Sequence, residues 1–277
     1  MFGKKIKIGL AFGGGGTRGF THLGAIKAFE EFGLKFDFIA GTSAGSLAGA
    51  FYAAGYSYKQ MYDVVKNVSE KDIKKGFIPF MPSSLEGVGN IVRENIGDIN
   101  IEDLKIPFAA IAVDIKTTKE VCFAKGNLAK AVMGSCAVPV VFQPVIYDDM
   151  ILCDGGLQNT IPADIPRYFG CDYVISVDVN KSRTYGTDST KLMDVAMCSI
   201  RILMKSNAVR GYVNSDLVIG PETKRFKSTK TEGMDEMIEE GYKATIDVMP
   251  QIMEIFSKKR KNKNIILEEN DDIKFIR

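Results

Sequence analysis

Three glycine-centred stretches hold the side chains best able to do chemistry. In Gly41-Thr42-Ser43-Ala44-Gly45 a serine sits between glycines, after a short apolar run and before a small-residue run. A G-x-S-x-G between strand and helix holds its serine on a sharp turn above a sheet, as a nucleophile. The competing reading is a glycine-rich turn with a capping serine. In Asp154-Gly155-Gly156 a carboxylate ends the apolar run Met150–Cys153. Partial desolvation there raises its pKa and makes it a better base, whereas an isolated Asp-Gly most often marks a turn. Gly13-Gly14-Gly15-Gly16-Thr17-Arg18-Gly19 lies between a strand-like and a helix-like run. A glycine backbone can turn several N–H groups onto one point at the positive end of a helix, which suits a phosphate or a developing oxyanion. The spacing Gly14-x-Gly16-x-x-Gly19 also fits a dinucleotide fingerprint, but Asp37 precedes the second apolar run, where the ribose-binding acid should follow it.

The choice of base narrows the chemistry. The chain has one histidine, His22, which precedes Ser43. The order serine, acid, histidine of α/β-hydrolases is therefore impossible. His22 shares a helical face with Ile26 and Phe29, which suggests packing under the glycine loop, with a catalytic base as the minor alternative. Direct activation of Ser43 by a carboxylate remains, and Asp154 is the best-placed candidate. One histidine also excludes multi-histidine zinc and two-histidine iron sites within the chain. No motif requires a metal or cofactor.

The elements that must position these residues follow from apolar patterning. Strands are expected at Lys5–Phe12, Phe36–Ala40, Phe108–Val113, Glu120–Ala124, Ile151–Cys153, Tyr173–Val177 and Asp216–Ile219. Helices are expected at Thr17–Phe32, Ser46–Ala54 and Lys59–Val68, and around 127–134, 160–169, 190–206 and 232–257. Near-continuous apolar strands alternating with helices predict an α/β fold, with a mostly parallel sheet covered on both faces by helices. No linker or repeat divides residues 1–277, so one domain is expected, with a core over about 5–250 and a charged, peripheral tail over 258–277. The 277 residues carry 36 Lys+Arg against 34 Asp+Glu, a net charge of +2, which supplies no basic excess for nucleic acid. The five cysteines lie in or beside apolar runs without a C-x-x-C, as in a reducing compartment. No signal peptide or membrane-spanning run is read, so a cytoplasmic location is expected, with peripheral membrane contact as an option.

Taken in order, the three motifs resemble those of the patatin-like phospholipase family: a G-x-G-x-x-G loop, a G-x-S-x-G elbow and a D-G-[GA] acid. Met133-Gly-Ser-Cys-Ala-Val-Pro139 before the acid and Asp172–Val177 after it are also similar, and the resemblance covers roughly residues 5–250. It implies a three-layer α/β sandwich that hydrolyses lipid acyl esters through a Ser43–Asp154 dyad. The N–H groups of Gly14, Gly15 and Gly16 would form the oxyanion hole. Thr17, Arg18, Gly19, Gly41, Gly45, Gly155 and Gly156 would support the motifs, with Arg18 either tying down the loop or holding a lipid phosphate. Residues 76–88, with Phe77, Ile78, Phe80 and Met81, read either as an apolar flap meeting a lipid surface or as a loop packed on the core. Other classes stay open: a nucleotide- or phosphate-binding protein, or a catalytically silent scaffold.

Overall fold

The computed structural model describes residues 6–67, 84–226, 233–258 and 272–276. The strands are β1 (Ile8–Phe12), β2 (Phe38–Thr42), β3 (Phe108–Asp114), β4 (Lys119–Phe123), β5 (Val145–Tyr147), β6 (Met150–Asp154), β7 (Tyr173–Val177), β8 (Leu217–Ile219) and β9 (Ile273–Ile276). Their order is β5-β6-β3-β2-β1-β7-β8, with β4 on β3 and β9 on β4. From β3 through β8 the ladder is parallel, while β4 and β6 run antiparallel to β3. The helices are α1 (Phe20–Glu31), α2 (Ala44–Ala53), α3 (Tyr58–Asn67), α4 (Glu86–Asn95), α5 (Leu128–Ser135), α6 (Asp164–Tyr168), α7 (Leu192–Asn214), α8 (Met234–Asp247) and α9 (Met249–Ser257).

Strand alternation divides the core in two. Leu10, Phe12, Ile39 and Phe108 point into a large core shared with Ile26, Phe29, Phe51, Val132 and Ile252. Ala11, Ala40, Ala109 and Ile111 point the other way, towards Ala163 and Ile165. Small residues on that second face let α6 lie close to the sheet. Helices thus cover both faces, as the patterning predicts, but unequally.

Several boundaries differ from expectation. The 160–169 helix is confined to α6, and α7 runs on to Asn214. The 232–257 stretch splits because Pro250 occupies the first turn of α9 and has no N–H to continue a helix through it. A helix, α4, stands where the patterning assigns no element. The short strands β5 and β9 have too few residues for a pattern, and β9 corrects the view of the tail as wholly peripheral, since Ile273–Ile276 pairs in parallel with β4. Residues 259–271 of the tail lie outside the described residues. So do residues 76–83, with Phe77, Ile78, Phe80 and Met81; Leu85 and Val88 are buried.

Candidate active site

The register of β3 explains why two residues 111 positions apart in sequence meet. Both β2 and β4 pair with Ala110 and Ile111, so they occupy opposite edges of β3. Both β6 and β4 pair with Ala112–Asp114, so β6 shares the β2 edge. Thr42 aligns with Ile111 and Asp154 with Ala112. The two strands therefore abut end to end, and their C-terminal residues deliver Ser43 and Asp154 to one junction.

Ser43 has φ 55° and ψ −128°, a conformation that costs a non-glycine residue about 1–3 kcal/mol. Surrounding bonds hold it there. The Ser43 N–H donates to Ser135 Oγ at 2.9 Å, and the Ser135 hydroxyl donates to the Ile111 carbonyl at 2.5 Å. The Ser43 carbonyl accepts from Ser46 N–H at 2.8 Å and from Ser46 Oγ at 2.7 Å, which starts α2. The flanking glycines are required by crowding: a Cβ on Gly41 would lie 2.4 Å from the Gly45 carbonyl oxygen, and one on Gly45 would lie 2.2 Å from that of Phe12.

Asp154 is fully buried. Its Oδ1 accepts from Gly156 N–H at 2.8 Å, and its Oδ2 completes no hydrogen bond. Burial pushes the carboxyl pKa up to about 6, against the opposing pull of the neighbouring Ser43 hydroxyl and the Gly156 N–H. Ser43 is thus close enough to favour the carboxylate. Burial, and then the Asp154 charge, raises the pKa of the neighbouring Cys136 and Cys153 thiols, which keeps them protonated and unreactive.

The glycine loop follows β1 at the same end of the sheet. Gly13 N–H donates to the Val177 carbonyl at 2.9 Å, and Asn180 Nδ2 donates to the Gly14 carbonyl at 2.6 Å. Gly14 N–H is committed to the Thr160 carbonyl at 3.0 Å, which corrects the expectation that it is a free oxyanion donor. Among the described residues no hydrogen bond uses the N–H of Gly15 or Gly16. Thr17 and Gly19 belong to a 3-10 turn over Gly16–Gly19 that leads into α1. Arg18 is buried, and its Nε donates back to the Gly15 carbonyl at 3.2 Å, so it ties down the loop. Burial lowers its pKa, helped by the charges of Arg183 and Arg201, while Tyr185 opposes the shift.

His22 lies beneath this loop with its ring edge-on to Phe12 and its Nε2 2.8 Å from the Gly13 carbonyl. Burial lowers its pKa to about 4. It is therefore neutral near pH 7, and Nε2 carries the donated proton. It packs and it braces the loop. Asp37 caps the opposite end of the sheet, where its carboxylate accepts from Ile8 N–H at 2.9 Å. The end of β2, where the fingerprint's acid should stand, carries Thr42 and Ser43 instead, so the dinucleotide reading loses its partner residue.

The segment after Asp154 joins all three motifs: Asn159 O accepts from Thr42 Oγ1 at 2.8 Å, and Thr160 O accepts from Gly14 N–H. Gly155 lies so close to β3 that a Cβ would fall 2.2 Å from the Ile111 oxygen. Ser135, Asn159, Thr160 and Asn180 are the positioning residues that patterning misses. Only Ser135 had a signal, its place in the Gly134-Ser135-Cys136 stretch. Among the described residues no cluster of three or more His, Cys, Asp or Glu is arranged to hold a metal, and no helix is long and apolar enough to cross a membrane.

Residues 10–167 match the family model for patatin-like phospholipase. An uncharacterised NTE family protein of Mycobacterium tuberculosis (strain ATCC 25618 / H37Rv) is 33% identical over 180 residues, which is 64% of this chain and 50% of that protein. Neuropathy target esterase sws of Drosophila melanogaster is 30% identical over 196 residues, 65% of this chain and 14% of that one. The chain thus spans half or less of these relatives' length. Among solved structures, VipD from Legionella pneumophila aligns with a TM-score of 0.55 at 15% identity, covering 90% of this chain and 67% of that chain. ExoU of Pseudomonas aeruginosa, solved with SpcU, aligns at 0.51 and 12%, covering 92% and 54%. At such identities the likeness is one of fold.

Proposed function

Because this chain belongs to the patatin-like phospholipase family, we propose that it is a serine hydrolase of fatty-acyl esters in phospholipids, lysophospholipids or related lipids, working through Ser43 and Asp154. One observation carries the reading: a serine held at φ 55° stands beside a buried carboxylate whose pKa is about 6 and whose Oδ2 has no hydrogen-bond partner. A structural Asp-Gly turn has no need of such a carboxylate, because burying an unpartnered charge is costly. A general base does need it, since its pKa lies close to the pH at which it works.

In this mechanism Ser43 Oγ attacks the ester carbonyl while its proton passes to Asp154 Oδ2. The negative charge moves to the carbonyl oxygen, which Gly15 and Gly16 N–H groups stabilise; each such donor is worth roughly 3–4 kcal/mol in comparable sites. The tetrahedral intermediate collapses, and the leaving alcohol or lysolipid takes the proton from Asp154. An acyl-Ser43 remains. Asp154 then accepts a proton from water as it attacks the acyl carbon, and the fatty acid departs with Ser43 reprotonated. The N–H of Ser43 is held by Ser135 throughout, so attack needs rotation of the side chain alone.

A fluorophosphonate probe should label the wild type at Ser43 and leave Ser43→Ala unlabelled, with fatty acid released from phospholipid by the wild type only. Equal labelling of both proteins would sink the assignment. Labelling without lipid turnover would keep the nucleophile and discard the lipid substrate.

A further inference from the structure

The carboxyl of Asp154 has a thioether beside it. A Cβ built on Gly156 would meet Met204 Cε at 2.2 Å and Asp154 Oδ1 at 3.0 Å, so the methionine methyl and the carboxyl flank one small gap. Met204 stands on α7 and is half-buried, while its neighbours Leu203 and Lys205 are exposed. Its side chain thus lies between the solvent side of the helix and a carboxyl that has no exposure of its own.

The helix is held at this point. Thr160, itself buried, donates through Oγ1 to the Met204 carbonyl at 2.5 Å, and the Gly156 carbonyl lies 3.2 Å from the same hydroxyl. One turn on, Asn207 Nδ2 donates to the Leu157 carbonyl at 2.5 Å. A Cβ on Gly211 would lie 2.5 Å from Ile161 Cβ. The segment after Asp154 is therefore stapled along one face of α7, and Met204 is the member of that face that meets Gly156.

We propose that Met204 is a positioning residue for the dyad, its methyl group sealing Asp154 from water without giving it a hydrogen-bond partner. This role rests on the Ser43–Asp154 reading above. A thioether suits it because sulfur and methyl have no proton to donate, whereas an amide in the same place would pair with the carboxylate and stabilise its charge. Excluding water does the opposite, and keeps the carboxyl a base that works near neutral pH. Other titratable groups do not take the part. The thiols of Cys136, at the end of α5, and Cys153, on β6, are neutral, and among the described residues no charged side chain shifts Asp154. On α7 itself, Lys205 Nζ donates to the Arg183 carbonyl, Arg210 pairs with Glu120 and Asp164, and the charge of Arg201 is felt at Arg18.

The test follows the Asp154 carboxyl directly, by carbon NMR of protein labelled at its aspartate carboxyls, with the signal assigned by its loss in Asp154→Asn. In the wild type it should titrate at about 6. Met204→Gln keeps the side-chain length and adds a donor, and Met204→Ala opens a path for water. In both, the midpoint should fall by about one pH unit or more, and the acid limb of kcat/KM on a soluble ester should move down with it. Met204→Leu, apolar and of similar volume, should keep the wild-type midpoint and profile. A midpoint unmoved in the Gln and Ala variants would overturn the proposal. An equal fall in the Leu variant would overturn it too, since Met204 would then only fill space. The two readings separate cleanly: ester turnover missing from the wild type would end the dyad assignment, while a lowered midpoint in the same Gln and Ala proteins would still uphold the seal.

Discussion

Asp154 carries opposing demands at the scale of one residue. Its folded pKa, about 6, stands above the 3.8 of an ordinary aspartate, so the folded chain favours the protonated carboxyl. That contribution to stability is fully present below pH 3.8 and is lost as pH rises through 6. A Ser43–Asp154 dyad needs the ionised form. kcat/KM on a soluble ester should therefore rise about tenfold per pH unit below 6 and level off above it. Asp154→Asn should lose turnover by orders of magnitude while melting higher than wild type at pH 8, by up to about 3 kcal/mol, a gain that vanishes near pH 4. Turnover unchanged in the Asn variant would remove Asp154 from the mechanism. His22 has the reverse sign: with its pKa lowered to about 4, the stability it lends is present above 6.5 and lost as pH falls through 4.

Among elements, the contact of α1 with α8 is the tightest. A Cβ on Gly24 would lie 1.9 Å from the Ile238 carbonyl oxygen, and one on Gly241 would lie 1.9 Å from that of Thr21. Both obstacles are backbone, so neither can swing aside. Gly241→Ala gains about 1 kcal/mol of helix propensity but forces the helices apart. A net loss of about 2 kcal/mol in urea unfolding is expected, and an unchanged or raised midpoint would contradict the contact. Separation would also reach the glycine loop, because Thr21 Oγ1 donates to the Arg18 carbonyl at 2.8 Å. Neither glycine stands out in the sequence, since each occupies an ordinary position in a helical run and its necessity comes from the partner helix.

Across the whole molecule, a buried ionic cluster ties β4, α6, α7 and the segment after Asp154. Glu120 and Asp164 are buried, share Arg210, and both accept from Asn159 Nδ2, at 3.1 and 2.9 Å. Burial raises the Glu120 pKa against the pull of Arg210. Arg210→Met should cost about 3–5 kcal/mol, because it strands two buried carboxylates. Adding Glu120→Gln and Asp164→Asn should recover most of that loss in a denaturant titration. Additive losses would show that the cluster is held by packing alone. Asn159 also accepts from Thr42 through its carbonyl, so the cluster that fixes α7 fixes the elbow as well.

What the chain's order of residues determined by itself is the chemistry and the layer plan. Short-range constraints write both: a serine on a strained turn needs glycines within two positions, a buried strand needs an unbroken apolar run, and a lone histidine ahead of Ser43 excludes a downstream triad. The meeting of Ser43 with Asp154, the commitment of Gly14 N–H to Thr160 and the placing of Ser135 under the elbow were decided only in three dimensions. The meeting of Ser43 with Asp154 depends on which strands lie beside β3, and in what register. Hydrogen-bond pairing between strands distant in sequence leaves no local pattern for the sequence to display.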